Sequence, residues 1–292
     1  MRLSTCILPV FDAAETRTRW REAEQLGFTS AYTYDHQSWR MFRDKPWYDA
    51  LLTLSLGASV TTGLRLGTLV TTPNFRHPVT LAKDLITLDA ISDGRITLGL
   101  GAGTASFDAD VLGDPPLTPR RRQDRLEEFT RDLDQLLTND AVSFAGEWYT
   151  AVEARTIPGC VQRPRIPFAI AGGGPRGMRL AAELGQAWVC DLSIFDAGDD
   201  VPAELLNQLE RLGNTLRDAG RAPESLERIL LVGLDAPAFS HDVDALIGAA
   251  GEYAAAGFTE IVIHAPIHDV GLGTRPSVYA QADRIAREIA EL

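Results

Sequence analysis

The chain has 292 residues, 45% of them hydrophobic and 23% charged, which is enough to bury a sizeable core and excludes intrinsic disorder. Its formal charge of −12 argues against nucleic-acid binding, because a surface that grips phosphate backbones needs clustered cations. The opening stretch Met1-Arg2-Leu3-Ser4-Thr5-Cys6-Ile7-Leu8-Pro9 is too short in apolar residues for a signal-peptide core, and no run approaches membrane-span length, so the expectation is a cytoplasmic protein with no membrane contact.

Apolar runs of strand length alternate with segments of helical periodicity. In chain order the pattern predicts strands over Leu3–Leu8, Ser30–Tyr34, Leu64–Val70 and Ile96–Gly101, then over Pro167–Ala171, Ala187–Cys190, Ile229–Leu234 and Glu260–His264. The helices between them are Glu15–Leu26, Tyr48–Thr61, Pro78–Ile91, Arg120–Leu137, Gly177–Leu184, Pro202–Ala219, Asp242–Ala256 and Val278–Leu292. Eight such pairs come to about 36 residues each, the size expected of an α/β fold closed as a (β/α)8 TIM barrel. A local echo agrees: Ala23-Glu24-Gln25-Leu26-Gly27-Phe28 recurs as Ala254-Ala255-Ala256-Gly257-Phe258, a helix ended by Gly shortly before a strand. About 70 residues separate the fourth strand from the fifth, roughly twice the usual unit. An insertion over about 104–165 is therefore expected within a single domain spanning 1–292, with a long loop at Ser106–Pro119 and a small hairpin at Val142–Tyr149.

In a (β/α)8 barrel, catalytic groups sit just after strand ends. After the second strand comes Asp35-His36-Gln37-Ser38-Trp39, preceded by Tyr34. A carboxylate beside an imidazole suits proton transfer, since the ordinary His pKa lies near operating pH and a neighbour can fix its tautomer. The fourth strand ends in Gly99-Leu100-Gly101-Ala102-Gly103-Thr104. That run lacks the spacing of a dinucleotide fingerprint, but it offers a bare strand end that a flat ring or another loop can approach closely. The fifth strand leads into Gly172-Gly173-Gly174-Pro175-Arg176-Gly177 and a short helical run from Met178. Backbone N–H groups, a helix N-terminus and Arg176 together read as a phosphate or carboxylate cradle. Cys6, Cys160 and Cys190 are widely separated and read as small buried hydrophobes, and no ligand set for a metal is evident. His77, ahead of Pro78, reads as a capping or packing residue, and His264 ends the last strand.

These residues carry a recognisable pattern. Ala23-x-x-Leu26-Gly27-Phe28 through Asp35-His36, Leu64–Val70, Arg76-His77-Pro78 through Lys83, Thr87–Arg95, Leu98–Gly103, Gly146-Glu147-Trp148-Tyr149 and Ile170–Arg176 occur in one order. In this the chain resembles the bacterial luciferase-like family of flavin- and deazaflavin-dependent oxidoreductases. The resemblance implies a (β/α)8 barrel with an insertion after the fourth strand and a ring cofactor over the strand ends. It implies coenzyme F420, with FMN as the alternative, and a small-molecule substrate. By the same resemblance His36 transfers protons, Trp39 lines the substrate pocket and Thr68 lies behind the cofactor ring; the strand-end positions add Asp35 to orient His36, Tyr34 to the pocket, and Gly101 and Gly103 to the bare strand end at the cofactor. Gly172, Gly173 and Gly174 match the cradle for the cofactor's phosphate-bearing tail, to which the adjacent Arg176 adds a cation. A non-proline cis peptide is expected between Thr68 and Thr72, and a homodimer is expected for the assembly. Two rival readings stand beside the F420-dependent oxidoreductase: an FMNH2-dependent two-component monooxygenase supplied by a partner reductase, and a catalytically silent flavin-binding barrel.

Overall fold

The computed structural model describes residues 1–105, 108–195 and 201–292. Ser106 and Phe107, the first two positions of the loop expected at Ser106–Pro119 bar none, lie outside the described residues. In chain order the elements are β1 (Arg2–Cys6), α1 (Ala13–Gln25), β2 (Ser30–Thr33), α2 (Ala50–Ala58), β3 (Arg65–Thr71), α3 (Pro78–Ser92), β4 (Ile96–Leu100) and α4 (Pro119–Thr138). They continue with β5 (Ala141–Ala145), β6 (Thr150–Arg155), β7 (Phe168–Ala171), α5 (Pro175–Leu184), β8 (Ala187–Asp191), α6 (Ala203–Asp218), β9 (Glu227–Leu231), α7 (Val243–Ala255), β10 (Glu260–His264), α8 (Pro276–Tyr279) and α9 (Ala282–Ala290). The strands close in the order β1-β10-β9-β8-β7-β4-β3-β2, the parallel (β/α)8 barrel expected from the spacing, while β5 and β6 pair apart as an antiparallel hairpin. One expected helix, Val278–Leu292, is divided between α8 and α9.

The chain divides into two compact units. The first comprises Met1–Leu8, Arg19–Tyr32 and Ala169–Leu292. Its strands are covered on both faces: every residue of β10 is buried, as are four of the five in β1, and polar side chains such as Ser4 and Thr5 are buried with the apolar ones. At the first residue of β10, the buried Glu260 accepts from Tyr32 Oη at 2.9 Å and from Arg2 Nη2 at 3.0 Å, so a carboxylate inside the strand layer keeps both a donor and a counter-ion.

The second unit comprises Pro9–Thr18 and Thr33–Phe168. Helix α3 starts as the sequence suggests: Pro78 takes the first helical position and His77 Nδ1 accepts from Val79 N at 3.2 Å. It stops at Asp93, which adopts the left-handed conformation with φ 55°, followed by Gly94 at φ 76°. Its buried face includes Leu81, Leu85, Ile86 and Leu88, each contributing roughly 1.5–3 kcal/mol by leaving water. Asp89 is also on that face. Its carboxylate accepts from Val161 N at 2.7 Å, Gln162 N at 3.0 Å and Gln162 Nε2 at 2.8 Å, which anchors the return of the insertion. Arg95 donates to the carbonyls of Ala58, Thr61, Leu64 and Ser92 and to Thr61 Oγ1, so its fork closes the end of α2 against the start of β3.

The expected hairpin forms, with its second strand beyond the predicted stretch: Gly146–Tyr149 is the turn. Glu128 on α4 accepts from the amides of Glu147 at 3.0 Å, Trp148 at 2.8 Å and Tyr149 at 2.8 Å. A side chain at Gly146 would run into that carboxylate, which explains the glycine.

Candidate active site

The turn after β2 carries His36 into a cluster of rings. Trp39 lies roughly parallel to the imidazole, with centroids 6.2 Å apart and an interplanar angle of 26°, and Tyr34 meets Trp39 edge-on at 5.1 Å. Trp47 packs against both His36 and Trp39, and its Nε1 donates to the His36 carbonyl at 2.8 Å. Tyr34 and Trp39 are buried, whereas the His36 side chain keeps 18% of its surface exposed. The imidazole is therefore within reach of solvent, as is the half-buried Trp47.

The partner of His36 is not Asp35. His36 Nδ1 lies 2.5 Å from Asp108 Oδ2, and Asp108 Oδ1 accepts from the amides of Gln37 at 2.8 Å and Ser38 at 3.3 Å. Asp35 instead forms a buried ion pair with Arg76, Nη2 to Oδ1 at 2.6 Å and Nε to Oδ2 at 3.2 Å, and accepts from Thr71 Oγ1 at 2.8 Å. Asp35 is committed to Arg76 and Thr71, whose charge and hydroxyl satisfy it away from the ring, and Asp108 holds the place at His36 Nδ1. The expectation that Asp35 orients His36 is corrected on that ground. Arg76 also reaches Asp49 Oδ2 at 2.9 Å, while Asp49 Oδ1 caps α2 by accepting from Leu52 N. Burial acts to lower the Arg76 pKa, but hydrogen bonds and charge from Asp35, then Asp49, hold it above its ordinary value.

Behind this pair the ends of β3 and β4 meet. The buried Thr68 hydroxyl lies 3.0 Å from Thr71 Oγ1 and 3.2 Å from the Gly99 carbonyl, which extends the hydrogen-bond chain that starts at Asp35. The Leu69–Val70 peptide is cis, inside the Thr68–Thr72 stretch where the resemblance implied one. At Gly99 a Cβ would collide with the Thr68 carbonyl, so that glycine serves close strand packing. Gly101 spends its amide on the Thr71 carbonyl at 3.0 Å. Gly103 has φ +70°, and a Cβ there would lie 2.8 Å from the Asn74 side chain, whose Oδ1 accepts from Arg125.

In the other unit, Gly172, Gly173 and Gly174 follow β7 and lead into α5, which begins at Pro175 rather than Met178. Gly174 is the residue before the helix and receives no side-chain cap; a Cβ on it would meet nothing within 4 Å. A Cβ on Gly172 would meet Gly177 Cα at 3.0 Å, and one on Gly173 would meet the Gln208 amide at 2.9 Å. The loop thus has one glycine required by helix packing, one beside a movable side chain and one bordering open space. Arg176 sits half-buried in the first turn of α5. His264, at the end of β10, is buried, and desolvation lowers its pKa to about 4, so it is neutral at pH 7. Among the described residues no group of three or more His, Cys, Asp or Glu is placed to hold a metal, and no helix is long and apolar enough to cross a membrane.

The second unit therefore offers an imidazole held by a carboxylate against stacked aromatics, an arrangement able to accept and return a proton. The first offers an open glycine at a helix start, a place where a phosphate oxygen can approach main chain. Asp108, Arg76, Thr71 and Trp47 escaped sequence reasoning. Asp108 lies 72 residues from His36, and no local pattern marks it.

The family model described as luciferase-like monooxygenase matches residues 1–255. The chain belongs to that family. It is 33% identical over 215 residues to the F420-dependent glucose-6-phosphate dehydrogenase of Kineococcus radiotolerans, which covers 73% of this chain and 61% of that protein. Against the F420-dependent hydroxymycolic acid dehydrogenase of Mycobacterium tuberculosis it is 33% identical over 175 residues, 57% of this chain and 46% of the relative. The chain thus spans less than two thirds of the length of these curated relatives. Among solved structures, the coenzyme F420-dependent tetrahydromethanopterin reductase of Methanopyrus kandleri superposes with a TM-score of 0.79 at 18% identity, covering 99% of this chain and 98% of that one. A monooxygenase from Streptomyces bottropensis does so with a TM-score of 0.76 at 19% identity, covering 100% and 98%. At such identities the likeness to solved structures speaks to the fold alone.

Proposed function

We propose that this luciferase-like barrel is an F420-dependent oxidoreductase acting on a small organic substrate, with residues 1–292 working as one catalytic domain. The observation that carries the reading is His36, held by a buried carboxylate in an aromatic pocket just after a barrel strand, where (β/α)8 enzymes place their chemistry. The names of the related dehydrogenases favour F420 over FMN. F420, when bound, supplies a central ring that exchanges hydride with the substrate. His36 then takes up or returns the proton that accompanies that hydride. Trp39, Tyr34 and Trp47 present apolar surface on one side of the part-exposed imidazole, and Thr68, Gly101 and Gly103 border the ring. Gly172, Gly173, Gly174 and Arg176 hold the tail through main-chain N–H groups and one cation.

The second reading, FMNH2-dependent oxygenation with a partner reductase, is favoured by the description of the matched family. Fluorescence titration with F420 and FMN, oxidised and reduced, separates the two. Tighter binding of F420 with anaerobic turnover is expected, whereas oxygen consumption supported by FMNH2 sinks the F420 assignment. Replacing His36 by Ala should abolish turnover and preserve cofactor affinity; cofactor bound by wild type without any turnover would leave a silent binding barrel. The same reading takes the protein as a cytoplasmic homodimer, with light scattering as the check on the dimer.

A further inference from the structure

The two oxygens of Asp108 divide their work. Oδ1 faces the Gln37 and Ser38 amides at 2.8 and 3.3 Å, and an amide N–H only donates, so Oδ1 is an acceptor. Oδ2 lies 2.5 Å from His36 Nδ1. The Asp108 side chain is 1% exposed, so water does not compete for either oxygen. A carboxylate that accepts at both oxygens requires hydrogen on Nδ1. Neutral imidazole carries a single N–H, so Nε2 is left with the lone pair. The backbone of the same turn is fixed from two directions, by Asp108 on the amides of Gln37 and Ser38 and by Trp47 Nε1 on the His36 carbonyl.

We propose that Asp108 is the positioning residue for His36: it selects the tautomer with hydrogen on Nδ1, aims the ring, and leaves Nε2 as the atom that exchanges the proton. The inference rests on the reading of His36 as the proton-transfer group. It is tested by a readout that needs no cofactor.

Asp108→Asn provides that test. The asparagine Oδ1 remains with the Gln37 and Ser38 amides, so its NH2 group faces His36 Nδ1 as a donor. The ring must then accept at Nδ1 and carry its hydrogen on Nε2. Nitrogen-15 NMR of the full chain, recorded where the imidazole is neutral and with His36 assigned by its loss in His36→Gln, reads the tautomer directly. Wild type should show hydrogen on Nδ1 and Asp108→Asn hydrogen on Nε2, with the thermal midpoint little changed. Hydrogen on Nε2 in wild type overturns the proposal whether or not the variant folds; so does one unchanged tautomer in both proteins. With F420 and substrate, kcat of Asp108→Asn should fall roughly 10²-fold while KM holds, the scale of lost acid–base catalysis. A rise in KM with kcat intact overturns the positioning role. If wild type has hydrogen on Nδ1, the variant reverses it and no F420 turnover exists, the cofactor reading falls and the hold of Asp108 on His36 stands.

Discussion

A methyl group added at Gly172 would lie 3.0 Å from Gly177 Cα, whereas one added at Gly174 would meet nothing within 4 Å. The first contact is with main chain in the first turn of α5, which cannot rotate away, so Gly172→Ala should lower the thermal midpoint. Gly174→Leu has room and should leave that midpoint in place. If Gly174 borders the cofactor's tail, the leucine weakens F420 binding without unfolding anything. Equal F420 affinity in Gly174→Leu and wild type, by fluorescence titration, removes Gly174 from the cradle. The pair of variants thus separates a glycine needed for packing from one needed for a ligand.

The hairpin depends on Glu128 to a degree its own sequence does not reveal. Three successive amides of the turn donate to that carboxylate. Bonds to a charged acceptor are each worth more than neutral ones, but the site is partly solvated, so Glu128→Ala should cost about 2 kcal/mol. Hydrogen exchange at Glu147, Trp148 and Tyr149 should accelerate together in that variant, and unaltered exchange would show that another group closes the turn. The barrel strands were legible because burial on both faces leaves short runs rich in apolar residues, and the hairpin was legible from its alternation and its glycine. Site pairings were not. Asp108 with His36, Arg76 with Asp35 and Asp49, and Glu128 with the turn each join segments far apart in sequence, and periodicity carries information only about neighbours along one element. The Asp35-His36 dipeptide misled for the same reason: adjacency in sequence is not adjacency of side chains.

An acidic chain that buries a neutral imidazole has a definite response to acid. His264 is lowered from its ordinary 6.5 to about 4 by desolvation, so the native state resists a proton that the unfolded chain accepts. Its contribution to stability is complete above about 6.5 and is lost progressively as pH falls through 4. Urea unfolding across that window should show wild type losing stability more steeply than His264→Asn, whatever the offset between them at neutral pH. Parallel profiles would show that His264 titrates normally in the native protein. The charge of −12 leads to a related refinement. It argues against a polyanion-binding surface yet leaves room for one anionic small molecule, because the proposed tail site depends on main-chain dipoles and Arg176 rather than on net charge.

The single guanidinium of Arg76 serves Asp35, which the Thr71 hydroxyl also contacts, and Asp49, which caps α2. In a diverging lineage these positions are not independent loci. Loss of the arginine leaves a buried carboxylate without a counter-ion, so the change that survives is one in which Asp35 and Arg76 are exchanged together, and an alignment of descendants should show them as a correlated pair with Asp49 free to drift.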